Sequence, residues 1–205
     1  MKDSSDLLED IWTRIERVLV AHAPEVMETL APGATRDEIA ELEAGVGLKL
    51  PRDLRRSLEI HNGQHDPSQC LQFCGTVSLM STADILRDWT MLTEIAVDFD
   101  EQNGVYSPEK NSLNADWWRR SCIPFGHHSS GDYTCVDMSP EGGRAVGRIV
   151  EHIHDNPMEE TNMPSFADWL ERVASALEAG RFERESYGFF NVHPQFAWKW
   201  NSEQQ

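Results

Sequence analysis

The chain has 205 residues, of which 40% are hydrophobic, enough for one sizeable core and no transmembrane run of about 18 apolar residues. Eighteen basic residues against 35 acidic ones leave a formal charge of −17. That excess argues against nucleic acid or anionic lipid as the main ligand.

The opening Met1-Lys2-Asp3-Ser4-Ser5-Asp6 is polar and acidic and is followed by no signal-like apolar stretch. A cytoplasmic, reducing compartment is therefore expected, with Cys70, Cys74, Cys122 and Cys135 as free, mostly buried thiols. Leu8, Ile11, Trp12, Ile15, Val18 and Leu19 recur at three- and four-residue steps, which predicts an amphipathic helix from about Ser5 to before Pro24. A short helix over Glu25 to Leu30 follows. Thr35-Arg36-Asp37-Glu38 has the form of a capping box, opening a helix that ends at Gly45 or Gly47. Pro51 suits the first position of the next helix, and Asn62-Gly63 supplies residues able to stop it.

Leu71 to Met80 alternates like a strand, interrupted at Gly75 by a turn or bulge. Ser81 or Thr82 can cap a helix carrying Ile85, Trp89, Leu92, Ala96 and Phe99 on one side. Asn103 to Asn114 is polar and reads as a long loop. Ile123-Pro124-Phe125 and Tyr133 to Val136 form two short strands around a polar turn at Gly131-Asp132. Ala145, Gly147, Ile149 and Ile153 suggest a further strand, after a turn at Pro140 to Gly143, and His154 to Met163 reads as an acidic loop. Ser165 begins the clearest helix, with Phe166, Trp169, Leu170, Val173, Ala174 and Leu177 on one face and Gly180 beyond its end. Residues 181–205 carry seven aromatic side chains, too many for a disordered tail, and are expected to pack on the body, with packing on a partner as the alternative. The expected architecture is one α+β domain, a small, mostly antiparallel sheet covered by helices from both ends of the chain. In it, residues 1–33 form a helical extension, 35–180 the core and 181–205 the aromatic tail.

Three segments carry a resemblance. Leu48-Lys49-Leu50-Pro51 leads to Asn62-Gly63. Ile123-Pro124-Phe125 leads to Gly131-Asp132. Ser165-Phe166-Ala167-Asp168-Trp169-Leu170 completes the set. Together they make the chain, from about Thr35 to Leu177, similar to the SUKH superfamily of fungal cell-wall-synthesis regulators and bacterial immunity proteins. The resemblance implies a non-catalytic binding module, an α+β fold and a protein partner such as a toxin domain. A regulatory scaffold for endogenous partners is the alternative that the fungal members imply. Pro51, Asn62, Gly63, Pro124, Phe125, Gly131, Asp132, Phe166, Trp169 and Leu170 then serve the fold.

No catalytic, cofactor or metal site is expected. His127 and His128 are neighbours on a strand and point to opposite faces, so regular β structure keeps them from sharing one ion. His65-Asp66 and His152-x-His154-Asp155 would make a cluster chemically possible only if the fold gathered them. Cys70 and Cys74 have zinc-like spacing without a second pair. Gly126 to Gly131 lacks the lysine of a phosphate loop, and cysteines among apolar neighbours disfavour a thiolate.

The charge is uneven. Residues 84–116 hold eight acids against two bases, and residues 149–171 hold six acids with no lysine or arginine. Either the two blocks are solvated surface or they form an anionic face. As a contact set for a basic partner, such as a nuclease toxin, we take Asp98, Asp100, Glu101, Glu109 and Asp116, then Glu151, Asp155, Glu159 and Glu160.

Overall fold

The computed structural model describes residues 4–65, 72–102, 117–128, 130–140, 146–184 and 190–192. The predicted N-terminal stripe forms α1 (Ser4–His22), and α2 (Pro24–Thr29) follows directly. Leu8, Ile11, Trp12, Ile15 and Leu19 are buried. The capping box is present in both directions: Glu38 N–H donates to Thr35 Oγ1, and Thr35 N–H donates to Glu38. It starts α3 (Arg36–Val46), which ends at Gly47 with φ 70°. The next helix, α4 (Arg52–Ile60), begins one residue later than expected, so Pro51 is its N-cap.

The end of α4 corrects the reading of Asn62-Gly63. The helix stops at an extended His61, and Asn62 works through its side chain, whose Oδ1 accepts the Thr82 N–H. Gly63 has φ 74°, and a Cβ there would lie 2.4 Å from Ser81 N and 2.5 Å from Met80 C. Only glycine suits both conditions. The segment expected as a strand from Leu71 to Met80 is shorter. Phe73 to Val77 closes a tight turn through Gly75 (φ 60°), and only β1 (Val77–Leu79) pairs in the sheet.

Helix α5 (Thr82–Gln102) follows, then β2 (Cys122–His128), β3 (Tyr133–Asp137), β4 (Arg148–His152) and β5 (Glu159–Glu160). The loop expected over residues 103–114 lies outside the described residues. The segment from His154 to Met163 contains β5, which its acidic composition conceals. The sheet runs β1-β2-β3-β4-β5, antiparallel throughout, with an irregularity between Pro124 and Gly126. Helix α6 (Phe166–Glu178) has Ser165 as its N-cap, its side chain accepting from Asp168 N–H. The segments β6 (Phe182–Arg184) and β7 (Phe190–Val192) make a separate two-stranded pair. Phe182 packs on the core and meets the His22 ring at 5.3 Å. The rest of the aromatic tail lies largely outside the described residues.

Strand alternation divides the core into two layers. On one face Phe125 reaches Phe166 and Trp169, with ring centroids 5.0 and 5.1 Å apart. Behind α6 lies α1, which also touches α4. Arg14 fastens α1 to Glu171 and Glu178 of α6, both at 2.7 Å, and Trp12 Nε1 donates to Ser57 Oγ of α4. On the other face α5 crosses the sheet, and Tyr133 OH donates to Asp88. The fold is α+β, as the pattern of stripes and short strands implies.

Candidate functional site

The polar groups inside the fold hold the structure together. Asp137 on β3 is fully buried. It accepts from Arg148 Nη2 (2.6 Å), Ser121 Oγ (2.9 Å) and Ser139 N (2.8 Å), and Arg119 approaches to 3.3 Å. Glu43 accepts from Lys49, Arg55 and the Leu50 N–H. Burial alone would raise its pKa, but those bonds outweigh it and leave the carboxyl below its ordinary value. Asp53 at the start of α4 accepts the Ala167 N–H of α6, joining two of the family-like segments through one carboxylate.

The histidines separate as alternation requires. His127 faces the α5 side, against the Tyr133 ring at 5.1 Å. His128 faces the other way, in a chain running from Thr76 Oγ1 through His128 to Thr134 Oγ1, which donates to Glu151. Burial pushes the Glu151 carboxyl up, against the bond and charge of His128. Asp132 binds Ser130 Oγ, the His154 N–H and the His154 ring. Burial opposes ionisation there, yet these bonds hold its pKa down to about 2. Its main-chain donor therefore comes from beyond the end of β4 rather than from its own turn.

Burial keeps the thiols in their protonated form. Burial pushes Cys74 and Cys122 up to about 12, and Cys135 well above the ordinary value. Cys70 and Asp66 lie outside the described residues. Among the described residues, no three His, Cys, Asp or Glu side chains are grouped to hold a metal. A void between α4, α6 and β1, lined by Ser57, His61, Gly63 and Phe166, measures about 10 Å³, room for about one water molecule.

The acidic residues divide by role. Asp98 on α5 and Asp155 and Glu159 near β5 are exposed. Asp100 and Glu101 belong to the last turn of α5, while Glu109 and Asp116 lie outside the described residues. Glu151 turns into the sheet toward Thr134, and Glu160 is engaged by Arg148 (3.2 Å) and Arg119 (3.5 Å). The sequence does not reveal which carboxylates find internal partners, and this sorting needs the tertiary structure.

One dipeptide connects the two acidic segments. Trp118 is fully buried and donates from Nε1 to Thr93 Oγ1 of α5. Its neighbour Trp117 donates from Nε1 to the His154 carbonyl, immediately before Asp155. Beneath both rings lies His152, also fully buried, with centroids 4.9 Å from Trp117 and 5.5 Å from Trp118. In sequence His152 reads only as a possible ligand. The adjacent tryptophans are the signal available for its burial.

Among the described residues, no helix is long and apolar enough to cross a membrane. The chain is similar to a glucan synthesis regulatory protein of Neurospora crassa, 24% identical over 83% of this chain and 38% of the relative. It is also 24% identical to a cell wall biosynthesis/cell cycle regulator, smi1, of Schizosaccharomyces pombe, over 85% of this chain and 37% of that protein. An F-box only protein 3 of Bos taurus is 24% identical over 85% of this chain and 35% of its own length. The chain thus spans just over a third of the length of these curated relatives. The SMI1 / KNR4 family (SUKH-1) matches residues 33–172, from just before the capping box into α6. With most of its length matched, the chain belongs to the SMI1 / KNR4 family (SUKH-1).

Proposed function

We propose that this chain is a protein-binding module that makes or breaks no covalent bond, and that it acts as an immunity protein in the cytoplasm, holding a toxin domain with a basic surface. The observation that carries the reading is the Trp117–Trp118 bridge, which links the middle of α5, at Thr93, to the His154–Asp155 segment. Acids far apart in sequence are thereby fixed relative to one another. A rigid anionic face attracts a basic cleft over long range and speeds association. The internal use of Asp137, Glu43 and Glu151, and the protonated thiols, support a binding role over a catalytic one.

The test is association with the product of the reading frame adjoining its gene, measured at low and moderate salt. Reversal of Asp98, Asp100 and Glu101 to lysine should slow association about tenfold or more and flatten its salt dependence. Unchanged rates would remove this face as the contact. A second reading, a regulatory module acting on endogenous proteins, is favoured by the names of the fungal relatives, which are those of regulators. Capture of several endogenous partners, with no effect of the adjoining gene product, would select it.

A further inference from the structure

His152 is, among the described residues, the one fully buried histidine, and neither ring nitrogen has a hydrogen-bond partner in another residue. Its side chain is fully buried, ringed by Trp117, Trp118 and Tyr133, the last at 5.8 Å and directly opposite on β3. We propose that His152 is an acid-sensitive latch: protonating this enclosed imidazole drives the Trp117–Trp118 corner off the sheet and loosens the anionic face that the corner assembles. The proposal rests on the binding role above for its biological use, and on geometry for its mechanism.

The groups facing the imidazole do not supply a free counter-charge. On its own chain segment, His154 is already joined to Asp132 at 2.8 Å. From α5, Asp88 is held by Arg87 and by the Tyr133 hydroxyl. His127 lies beyond Tyr133 and adds no negative charge. In the segment after the tryptophans, Arg119 is turned to Asp137 and Glu160, and Arg120 is a further cation. The indole rings stand at 77° and 86° to the imidazole. Cation–π attraction to them recovers only part of what an ion loses on leaving water. Burial accordingly lowers the His152 pKa from 6.5 to about 4.

A lowered folded-state value means that the open state binds the proton more tightly, so acid favours opening between these two values. From the shift given for His152, the open-to-closed ratio rises roughly 20-fold between neutral pH and about pH 5.

The experiment uses the full chain without any partner. Hydrogen exchange at the Trp118 indole N–H, bonded to Thr93, is followed from about pH 7 to about pH 5 and divided by the same rate in His152→Phe, which cancels intrinsic pH effects. The ratio should rise roughly 20-fold, while the ratio for the Val173 amide of α6 stays within about threefold. A flat Trp118 ratio, or an equal rise at Val173, overturns the latch. Should His152→Phe not fold, NMR titration of His152 in the unaltered chain decides. A midpoint at or below about pH 5 supports the proposal and a higher one refutes it. Because no partner enters the assay, failure of the immunity reading leaves this result standing, and failure of the latch leaves binding untouched.

Discussion

Replacing Arg148 with methionine tests how the buried charges hold the sheet. The substitution keeps the apolar stem but removes the guanidinium that donates to Asp137 at 2.6 Å and reaches Glu160 and the Ser139 carbonyl. Asp137 is then left fully buried, with Ser121, Ser139 N–H and Arg119 at 3.3 Å as its remaining partners. Removing one partner of a buried ion pair costs about 3–5 kcal/mol. Because Arg119 remains, we expect about 2–4 kcal/mol. Asp137→Asn alone should cost about 1–2 kcal/mol, since the amide oxygen can still accept from Ser139 N–H. In the double variant no carboxylate is stranded, so its loss should fall short of the sum by about 1.5 kcal/mol or more. Urea unfolding at neutral pH, followed by tryptophan fluorescence, measures all four corners of the cycle. A loss under about 1 kcal/mol for Arg148→Met, or additivity within about 0.5 kcal/mol, would refute the reasoning.

Gly63→Ala should destabilise by about 2 kcal/mol or more, because it adds positive-φ strain and a clash with the Met80–Ser81 backbone; its urea midpoint checks this. Thr35→Ala should cost about 1 kcal/mol, the worth of an N-cap, with an unchanged m-value. Native Cys74, Cys122 and Cys135 should resist alkylation at mildly alkaline pH and react after denaturation, as peptide mass mapping would show. Rapid native labelling of any of the three would contradict their burial.

The periodic parts of this fold are legible in sequence. The stripes of α1 and α6, the box at Thr35–Glu38 and the alternation around Phe125 and Tyr133 are local patterns, each set by a few neighbouring residues. The bond from Asp53 to α6, the Asp137–Arg148 pair and the enclosure of His152 join residues distant in the chain, and no spacing rule announces them. The segment holding β5 misleads for a related reason. Two glutamates carry no strand propensity of their own and pair because β4 offers an edge. The candidate face is only half legible: exposed Asp98, Asp155 and Glu159 read as acids do, but Glu151 and Glu160 look identical in sequence and are spoken for inside.

The fastening of α1 to α6 has a consequence for biosynthesis. Arg14 and its partner Glu178 are 164 positions apart, so the first helix emerges from the ribosome long before the surface that covers it. At ordinary translation speeds that interval is about ten to thirty seconds. Throughout it Trp12 and its apolar neighbours have no native shelter from α6. The nascent polypeptide therefore completes this packing only after Glu178 has been made, and the apolar stripe of α1 stays uncovered on that side until then.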